Sequence, residues 1–304
     1  MRSQGSQQRA LSGTAFATLL LIALMMGANH VAARFAFNDG ADVTTAVALR
    51  STITAVVVAG LLWFQKVPVA FNARQRRYLP VIGVLIAVQS LCLYSSVARL
   101  PVALALLAFN TYPLFTALWQ WLIYKQGPPR SVLLAMPVLL FGLALALDVL
   151  GAASGMGASA QWASIGVGVA FGIAAAATFG LALVFTQHKA ADVEGRLRTA
   201  TTMATVALLA AIALAVQGGP HWPRSPVGWL GLAGLTFLYG TAFTIMFTVL
   251  PKLGVVGGSA IMNVEPVFAL VLAWALLGQV IAPVQVLGSL LVVATVVVLG
   301  LRKS

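Results

Sequence analysis

The sequence predicts an all-α polytopic membrane protein with ten transmembrane helices, arranged as two inverted repeats of five. Three observations support this prediction: the composition, the recurrence of long apolar runs, and a match between the two halves of the chain. Hydrophobic residues form 61% of the 304 residues, charged residues form only 8%, and the mean hydropathy is +0.98. Soluble domains contain about 25% charged residues. This composition therefore excludes a soluble protein.

The apolar runs are each long enough to cross a hydrocarbon core about 30 Å thick as a helix. Clusters of charged residues, proline and glycine separate them. The predicted helices cover residues 14–36, 44–64, 79–97, 101–123, 132–149, 163–187, 199–216, 227–250, 254–277 and 283–301.

Lysine and arginine predict the orientation, because short loops rich in these residues stay in the cytoplasm. With the N-terminus inside, the links on that side carry most of the 18 basic residues. The outer side receives only Arg34, Arg50, Arg99 and Arg224. Both termini are therefore predicted to be cytoplasmic. The formal charge of +12 then reflects membrane topology, and no nucleic-acid partner is expected.

The two halves of the chain match at a shift of 153 residues. "LPVALALLAFNTYPLF" (100–115) aligns with "LGVVGGSAIMNVEPVF" (253–268). The aligned pairs are Asn110 with Asn263, Pro113 with Pro266, Phe115 with Phe268, Trp121 with Trp274 and, earlier, Gly27 with Gly180. The match predicts two five-helix units, 14–149 and 163–302. An odd number of helices per unit makes the units inverted, and inverted repeats are typical of transporters.

The closing segment "NVEPVFALVLAWALLGQVIAPVQVLGSLLVVATVVVLGLR" (263–302) resembles that of EamA-type members of the drug/metabolite transporter superfamily. The matching residues are Glu265, Pro266, Gly278, Pro283, Gln285 and Gly288, whereas Gln279 stands where the family usually has glutamate. "SLCLYSS" (90–96) and "FNTYP" (109–113) are similar to YddG-like exporters of aromatic and other amino acids.

This resemblance implies export of amino acids or related amphiphilic metabolites and drugs across a bacterial inner membrane. It also implies a central cavity lined by helices 3, 4, 8 and 9, with contributions from helices 1, 2, 6 and 7. Helices 5 and 10 would then be peripheral.

Glu265 is the one acid of six that lies well inside a predicted helix, because Asp148 stands at the outer end of helix 132–149 and the other four acids fall in links. A carboxylate at the bilayer centre costs about 2.5–3.5 kcal/mol even on lenient insertion scales, so such residues usually serve a function. Glu265 could bind a substrate amine or a proton. The structural alternative is a neutral, hydrogen-bonded acid that fixes the helix where Pro266 disrupts the backbone ladder.

The repeat aligns Glu265 with Tyr112, so one half presents an acid and the other an aromatic residue before a mid-helix proline. Backbone disrupted by Pro113 and Pro266 is tolerated in a membrane only where protein or cavity water satisfies it. These sites, with the preceding Asn110 and Asn263, are therefore candidate cavity walls. Ordinary helix kinks are the alternative.

Further candidates for substrate contact are Gln89 and Tyr94 in helix 3, Phe179 in helix 6 and Tyr239 in helix 8. Aromatic rings can stack on a substrate ring or accept an ammonium group. Interhelical hydrogen bonding and apolar packing are the corresponding structural roles.

His30 and Arg50 are candidates for coupling, together with Glu265. His30 could relay protons because histidine titrates near neutrality, or it could simply be a satisfied packing residue. Arg50 could hold a substrate carboxylate, pair with Glu265, or extend outward to the membrane surface.

The sequence contains no Gly-rich nucleotide-binding loop, HExxH, cysteine cluster or GxSxG. It therefore predicts a secondary transporter rather than an enzyme, with no cofactor or metal. Its expected partners are a small-molecule substrate and the bilayer, and a monomer is expected. A passive, channel-like facilitator and a membrane-embedded enzyme are the alternatives.

Overall fold

A computed structural model of the chain describes residues 13–127, 130–248, 264–279 and 281–303. The regular elements in these ranges are α-helices. They are α1 (Gly13–Asn38), α2 (Val43–Phe64), α3 (Ala73–Arg99), α4 (Val102–Phe109), α5 (Tyr112–Tyr124), α6 (Arg130–Ala146), α7 (Ala158–Lys189), α8 (Gly195–Val216), α9 (Pro226–Thr248), α10 (Glu265–Leu277) and α11 (Pro283–Lys303).

Within the described residues, seven helical stretches are long and apolar enough to cross a membrane, counting Val102–Tyr124 as one stretch. Three shorter apolar helices accompany them: Leu133–Ala146, Glu265–Leu277 and Pro283–Val298. The prediction of an all-α polytopic membrane protein is confirmed.

Three helices begin at least four residues earlier than predicted: α3, α7 and α8, the last at Gly195 rather than 199. α3 begins at Ala73 rather than 79, because the Asn72 side chain accepts from the Gln75 backbone N–H and the Gln75 side chain accepts from the Asn72 N–H. This reciprocal capping stabilises a polar first turn that hydropathy does not reveal. α7 begins at Ala158 rather than 163.

The two mid-helix prolines mark helix starts rather than kinks within continuous helices. α4 ends at Phe109 and α5 begins at Tyr112, with Pro113 in its first turn. α10 likewise begins at Glu265 with Pro266 in its first turn. A proline there loses no hydrogen bond, because the first N–H groups of a helix have no intrahelical partner. Asn263 and the rest of 254–263 lie outside the described residues.

Two equivalent close contacts join the halves of the chain. A Cβ at Gly27 in α1 would lie 3.0 Å from both Ala269 N and Glu265 O of α10. A Cβ at Gly180 in α7 would lie 2.8 Å from Thr116 N of α5. The shift of 153 residues relates both the glycines and their partners. Each half therefore packs its first helix, without an intervening side chain, on the helix of the other half that begins beside the repeated proline, α10 or α5.

Hydrogen bonds of the loops that follow α1 and α7 show the same relation between the two halves. Asp39, after α1, accepts from the backbone N–H groups of Ser225 (2.6 Å) and Arg224 (2.8 Å) at the start of α9. Asp192, after α7, accepts from Arg74 and Gln75 in the first turn of α3. The same shift relates the two aspartates. Each half thus ties its first connection to the third helix of the other half.

The hydrogen bond from the Ser225 backbone is the main reason that the pKa of Asp39 lies below its ordinary value. The direct bonds from Arg224 act in the same direction. A lowered pKa keeps the carboxylate ionised at physiological pH, so this connection persists there.

α6 and α11 pack against each other through Gly142 and Gly288. A Cβ on Gly288 would lie 2.5 Å from Ala146 N and 2.6 Å from Gly142 O. α4 also contacts both helices. This pair lies beside α4, away from the contact between α1 and α10.

We expect Gly27→Val to lower the free energy of unfolding by about 1–3 kcal/mol, the usual cost of overpacking a close interface. The added methyl groups meet backbone atoms of α10, which cannot rotate away. The measurement is the midpoint of thermal unfolding in detergent. Gly60→Val in α2 is the control, because a Cβ there meets nothing within 4 Å. Equal midpoints for the two variants would contradict the close contact.

Candidate functional site

Buried polar side chains meet where α1, α2, α3, α9 and α10 come together. We call this group the polar cluster. It comprises Asn29, His30, Arg50, Gln89, Ser90, Tyr94, Tyr239 and Glu265. Polar groups inside a membrane protein are costly and are retained mainly where they hydrogen-bond to one another or line a substrate path. The cluster is therefore the candidate functional site.

His30 and Glu265 form the ionisable pair of the cluster. His30 Nε2 lies 3.2 Å from Glu265 Oε1, and the two side chains are 3% and 22% exposed. The pair depends on Gly27, one turn before His30, which lets the backbone of Glu265 approach α1. The position of Glu265 in the first turn of α10 adds stability, since helix N-termini favour negative charge.

Arg50 lies at the centre of the cluster and is 2% exposed. Its Nη1 donates to the Tyr94 hydroxyl (3.0 Å) and its Nη2 donates to Ser90 Oγ (3.1 Å). The guanidinium carbon stands 3.8 Å from the ring centroid of Tyr239 and 4.7 Å from that of Tyr94. Contacts of a cation with aromatic faces are attractive and strengthen when water is excluded.

Tyr94 connects Arg50 to α1. Its hydroxyl accepts from Arg50 and donates to Asn29 Oδ1 at 2.9 Å. Its ring centroid is 5.4 Å from that of His30. A continuous polar path therefore runs from Ser90 through Arg50 and Tyr94 to Asn29, which is the neighbour of His30 in sequence.

Several buried polar atoms have no hydrogen-bond partner among the described residues. Three of them, Asn29 Nδ2, His30 Nδ1 and Arg50 Nε, belong to the cluster, and the others are Arg34 Nε, Asn110 Nδ2 and the Tyr124 hydroxyl. Buried polar atoms in folded proteins are almost always paired with protein or with ordered water. The unused donors therefore indicate a place for water or a polar ligand.

An aromatic cluster occupies the corresponding place in the other half. It consists of Phe109, Tyr112 and Phe179, with ring centroids 5.2–5.6 Å apart. Tyr112 opens α5 as Glu265 opens α10, and it lies within electrostatic range of the Glu265 carboxylate. The two repeats thus place an ionic contact at the start of α10 and an aromatic contact at the start of α5.

Comparison with known proteins identifies the family. The model of the EamA-like transporter family matches the chain twice, at residues 13–147 and 166–301. The chain belongs to the EamA-like transporter family. It is also 27% identical over 226 residues to an uncharacterized transporter of Synechocystis sp., an alignment that covers 73% of this chain. That alignment covers 65% of the Synechocystis protein, so the chain spans slightly less than two thirds of its length.

A protein of known crystal structure has the same fold, with a TM-score of 0.62 at 18% identity, over 96% of this chain and 99% of that one. The predicted EamA-type resemblance is confirmed by the family match. Resemblance to the YddG-like subtype stays a prediction.

The structure places the predicted site residues of this EamA-like transporter in two groups. Gln89, Tyr94, Tyr239, His30, Arg50 and Glu265 lie in the polar cluster; Tyr112 and Phe179 lie in the aromatic cluster. Asn110 lies between α4 and α5, and Pro113 and Pro266 lie in the first turns of α5 and α10. Asn263 is outside the described residues. Their roles in transport stay predictions.

Two hypotheses about Arg50 are wrong. It does not extend to the membrane surface, since it is buried. It does not pair with Glu265 either, because His30 holds that carboxylate and Arg50 bonds to α3. The rings of Tyr94 and Tyr239 lie over the buried guanidinium.

The predicted set omitted Asn29, Ser90 and Phe109. Asn29 and Ser90 carry hydrogen bonds of the polar cluster, and Phe109 completes the aromatic cluster. A polar residue beside His30 in an apolar helix was the available signal for Asn29. The contact of Phe109 with Phe179 joins the two halves, and no local pattern predicts it.

We expect Tyr94→Phe to lower the free energy of unfolding by about 1–3 kcal/mol, because it leaves Arg50 Nη1 and Asn29 Oδ1 buried without their partner. Tyr239→Phe is the matched control, because its hydroxyl donates only to Met203 Sδ at 3.7 Å. Thermal unfolding in detergent measures both. If Tyr239→Phe lowers the free energy of unfolding as much as Tyr94→Phe does, the hydrogen-bond network around Tyr94 is contradicted.

Proposed function

We propose that this EamA-like transporter exports amino acids, aromatic and other neutral ones, or related small metabolites from the cytoplasm across a bacterial inner membrane. It does so by alternating access, with ten spans in two inverted five-helix units and both termini cytoplasmic. The observation that carries the proposal is the enclosed polar cluster, built where the first helix of one half meets the broken helix of the other.

The position of the cluster suits alternating access. Glu265 belongs to one half and His30, Arg50 and Tyr94 belong to the other. A rearrangement of one half against the other therefore changes this contact directly. Inverted-repeat transporters use such mid-membrane sites at the interface of their repeats, with broken helices whose ends face the substrate.

The chemistry of the two clusters suits an amphiphilic substrate. Glu265 offers a carboxylate to a substrate ammonium group when His30 releases it. The rings of Tyr112 and Phe179 offer aromatic surface for an apolar side chain. A substrate with an ammonium group and an apolar or aromatic body fits both sides at once.

The contacts between connecting loops agree with the sides of the membrane on which these loops are predicted to lie. Asp39 meets Arg224 and Ser225, which belong to connections predicted to lie outside. Asp192 meets Arg74, both predicted to lie inside. The predicted outer connections contact each other, and the predicted inner connections do the same.

We expect Glu265→Gln to slow transport of zwitterionic and cationic substrates by about 10- to 100-fold, because a charge-assisted contact contributes about 1.5–3 kcal/mol. The measurement is counterflow of radiolabelled amino acids into proteoliposomes, with and without a pH gradient. Uptake that lacks counterflow would favour a channel-like facilitator.

Glu194→Gln is the matched control for that experiment. Glu194 caps α8 at its exposed start, away from the polar cluster, and the amide oxygen can still accept from Leu197 N. Its transport rate should stay unchanged. An unaltered rate and pH profile for Glu265→Gln would rule out both the ligand and the proton role.

We expect single cysteines at positions 89, 112 and 239 to react with a water-soluble maleimide in a Cys92→Ser background, and substrate to slow the reaction. These side chains line the proposed path, which opens to water during each cycle. Phe237→Cys is the control, because Phe237 is two residues from Tyr239 in α9 and faces outward, 68% exposed. Protection of all three positions, or equal labelling at 237, would place the path elsewhere.

A further inference from the structure

We propose that Arg50 binds a carboxylate group of the transported molecule. The substrates are then carboxylate-bearing molecules, with zwitterionic amino acids preferred over amines that lack a carboxylate. This inference rests on the proposed transport function and names the group that the polar cluster recognises.

The charge balance of the chain is the first argument. All six acidic side chains lie in the described residues, and each has partners elsewhere. Asp39, Asp42 and Asp148 bond to groups in or beside their loops, Asp192 and Glu194 pair with Arg74 and Arg196, and Glu265 pairs with His30. No side-chain carboxylate of the protein is a counter-ion for Arg50.

The cost of an uncompensated buried cation is the second argument. A guanidinium is a permanent cation in proteins, so the cost of burying one must be offset by its contacts. An ion removed from water loses several kcal/mol of solvation that a counter-ion normally offsets. The rings of Tyr94 and Tyr239 offset part of that cost by cation–π attraction. A positive charge held without a carboxylate partner favours an anionic ligand.

The geometry of the guanidinium is the third argument. Hydrogen bonds to Ser90 and Tyr94 and the faces of two tyrosine rings hold the group in place. Its Nε–H is buried and has no partner among the described residues. Arginine presents its N–H groups in a planar fork that matches the two oxygens of a carboxylate. Arg50 is thus oriented before a ligand arrives.

Arg34, the other arginine of this region, also has a buried Nε–H without a partner among the described residues, but the rest of its guanidinium has a different environment. Its Nη1 donates to the backbone carbonyls of Val97 (2.7 Å) and Leu100 (3.4 Å), which tie α1 to the end of α3. Those carbonyls are strong acceptors, whereas Arg50 contacts hydroxyl groups and tyrosine rings within the part of the chain that the structure describes. Arg34 therefore has a structural role and serves as a matched control.

The two ionic positions of the cluster together recognise a zwitterion. Arg50 binds the carboxylate of the substrate. Glu265 leaves its contact with His30 and binds the ammonium group instead. An amino acid then neutralises both positions, whereas an amine alone leaves Arg50 unpaired.

The test compares three probes on purified protein in detergent by titration calorimetry: L-phenylalanine, L-phenylalaninamide and 3-phenylpropionate. The amide keeps the ammonium and the ring but lacks the carboxylate, whereas the propionate keeps the carboxylate and lacks the ammonium. We expect the wild-type protein to bind phenylalanine about 10- to 100-fold more tightly than the amide. Arg50→Gln should remove this preference and weaken phenylalanine and phenylpropionate by the same factor.

Arg34→Gln should keep the preference for phenylalanine over the amide. Arg50→Lys keeps the charge but loses the fork, so an intermediate preference is expected. Wild-type discrimination needs no variant, so the test holds even if Arg50→Gln does not fold. The inference is overturned if the wild-type protein binds the amide as tightly as phenylalanine, if it binds none of the probes, or if a folded Arg50→Gln retains the preference.

Flux measurements separate this inference from the proposed function. If proteoliposomes transport phenylethylamine and phenylalanine equally well, transport stands and the role of Arg50 fails. If Arg50-dependent binding of carboxylates is present and no substrate crosses the membrane, the role of Arg50 stands and the transport function fails.

Discussion

The close approach of two helix backbones at Gly27 and Gly180 is the constraint on which the rest of the structure depends. At each glycine, the first helix of one half lies directly against the first turn of a half-helix from the other half. Any side chain there would separate the two elements. The contact brings the start of α10 to α1 and the start of α5 to α7, and it thereby places the residues that open those half-helices in the interior.

The broken helices follow from the same constraint. Pro113 and Pro266 lie in the first turns of α5 and α10, where a proline loses no backbone hydrogen bond. A new helix start presents free N–H groups and a positive dipole end. Glu265 occupies such a start, beside His30, whereas Tyr112 occupies the equivalent start among aromatic rings. The repeated fold therefore places two different chemical groups, a carboxylate and an aromatic ring, at equivalent helix starts.

Most polar groups of the polar cluster have a partner that offsets the cost of their burial. One group, the Arg50 guanidinium, has no side-chain counter-ion in the protein. Glu265 has His30, and Tyr94 has both Arg50 and Asn29. Arg50 has hydroxyl groups and tyrosine rings but no carboxylate. In a medium of low dielectric, this imbalance is costly. This uncompensated charge is the basis of the proposed carboxylate site at Arg50.

The sequence by itself determined the class of the protein, the repeat and the two proline positions. Apolar length, positive charges in short links and the aligned prolines are local or periodic signals, so each is readable without coordinates. It also singled out Glu265 as an intramembrane acid. Only the tertiary structure decided that His30 rather than Arg50 pairs with Glu265, that Arg50 is enclosed, and that Phe109 meets Phe179. The physical reason is that lipid-facing and core-facing surfaces of these helices are both apolar, so periodicity does not show which face meets which neighbour.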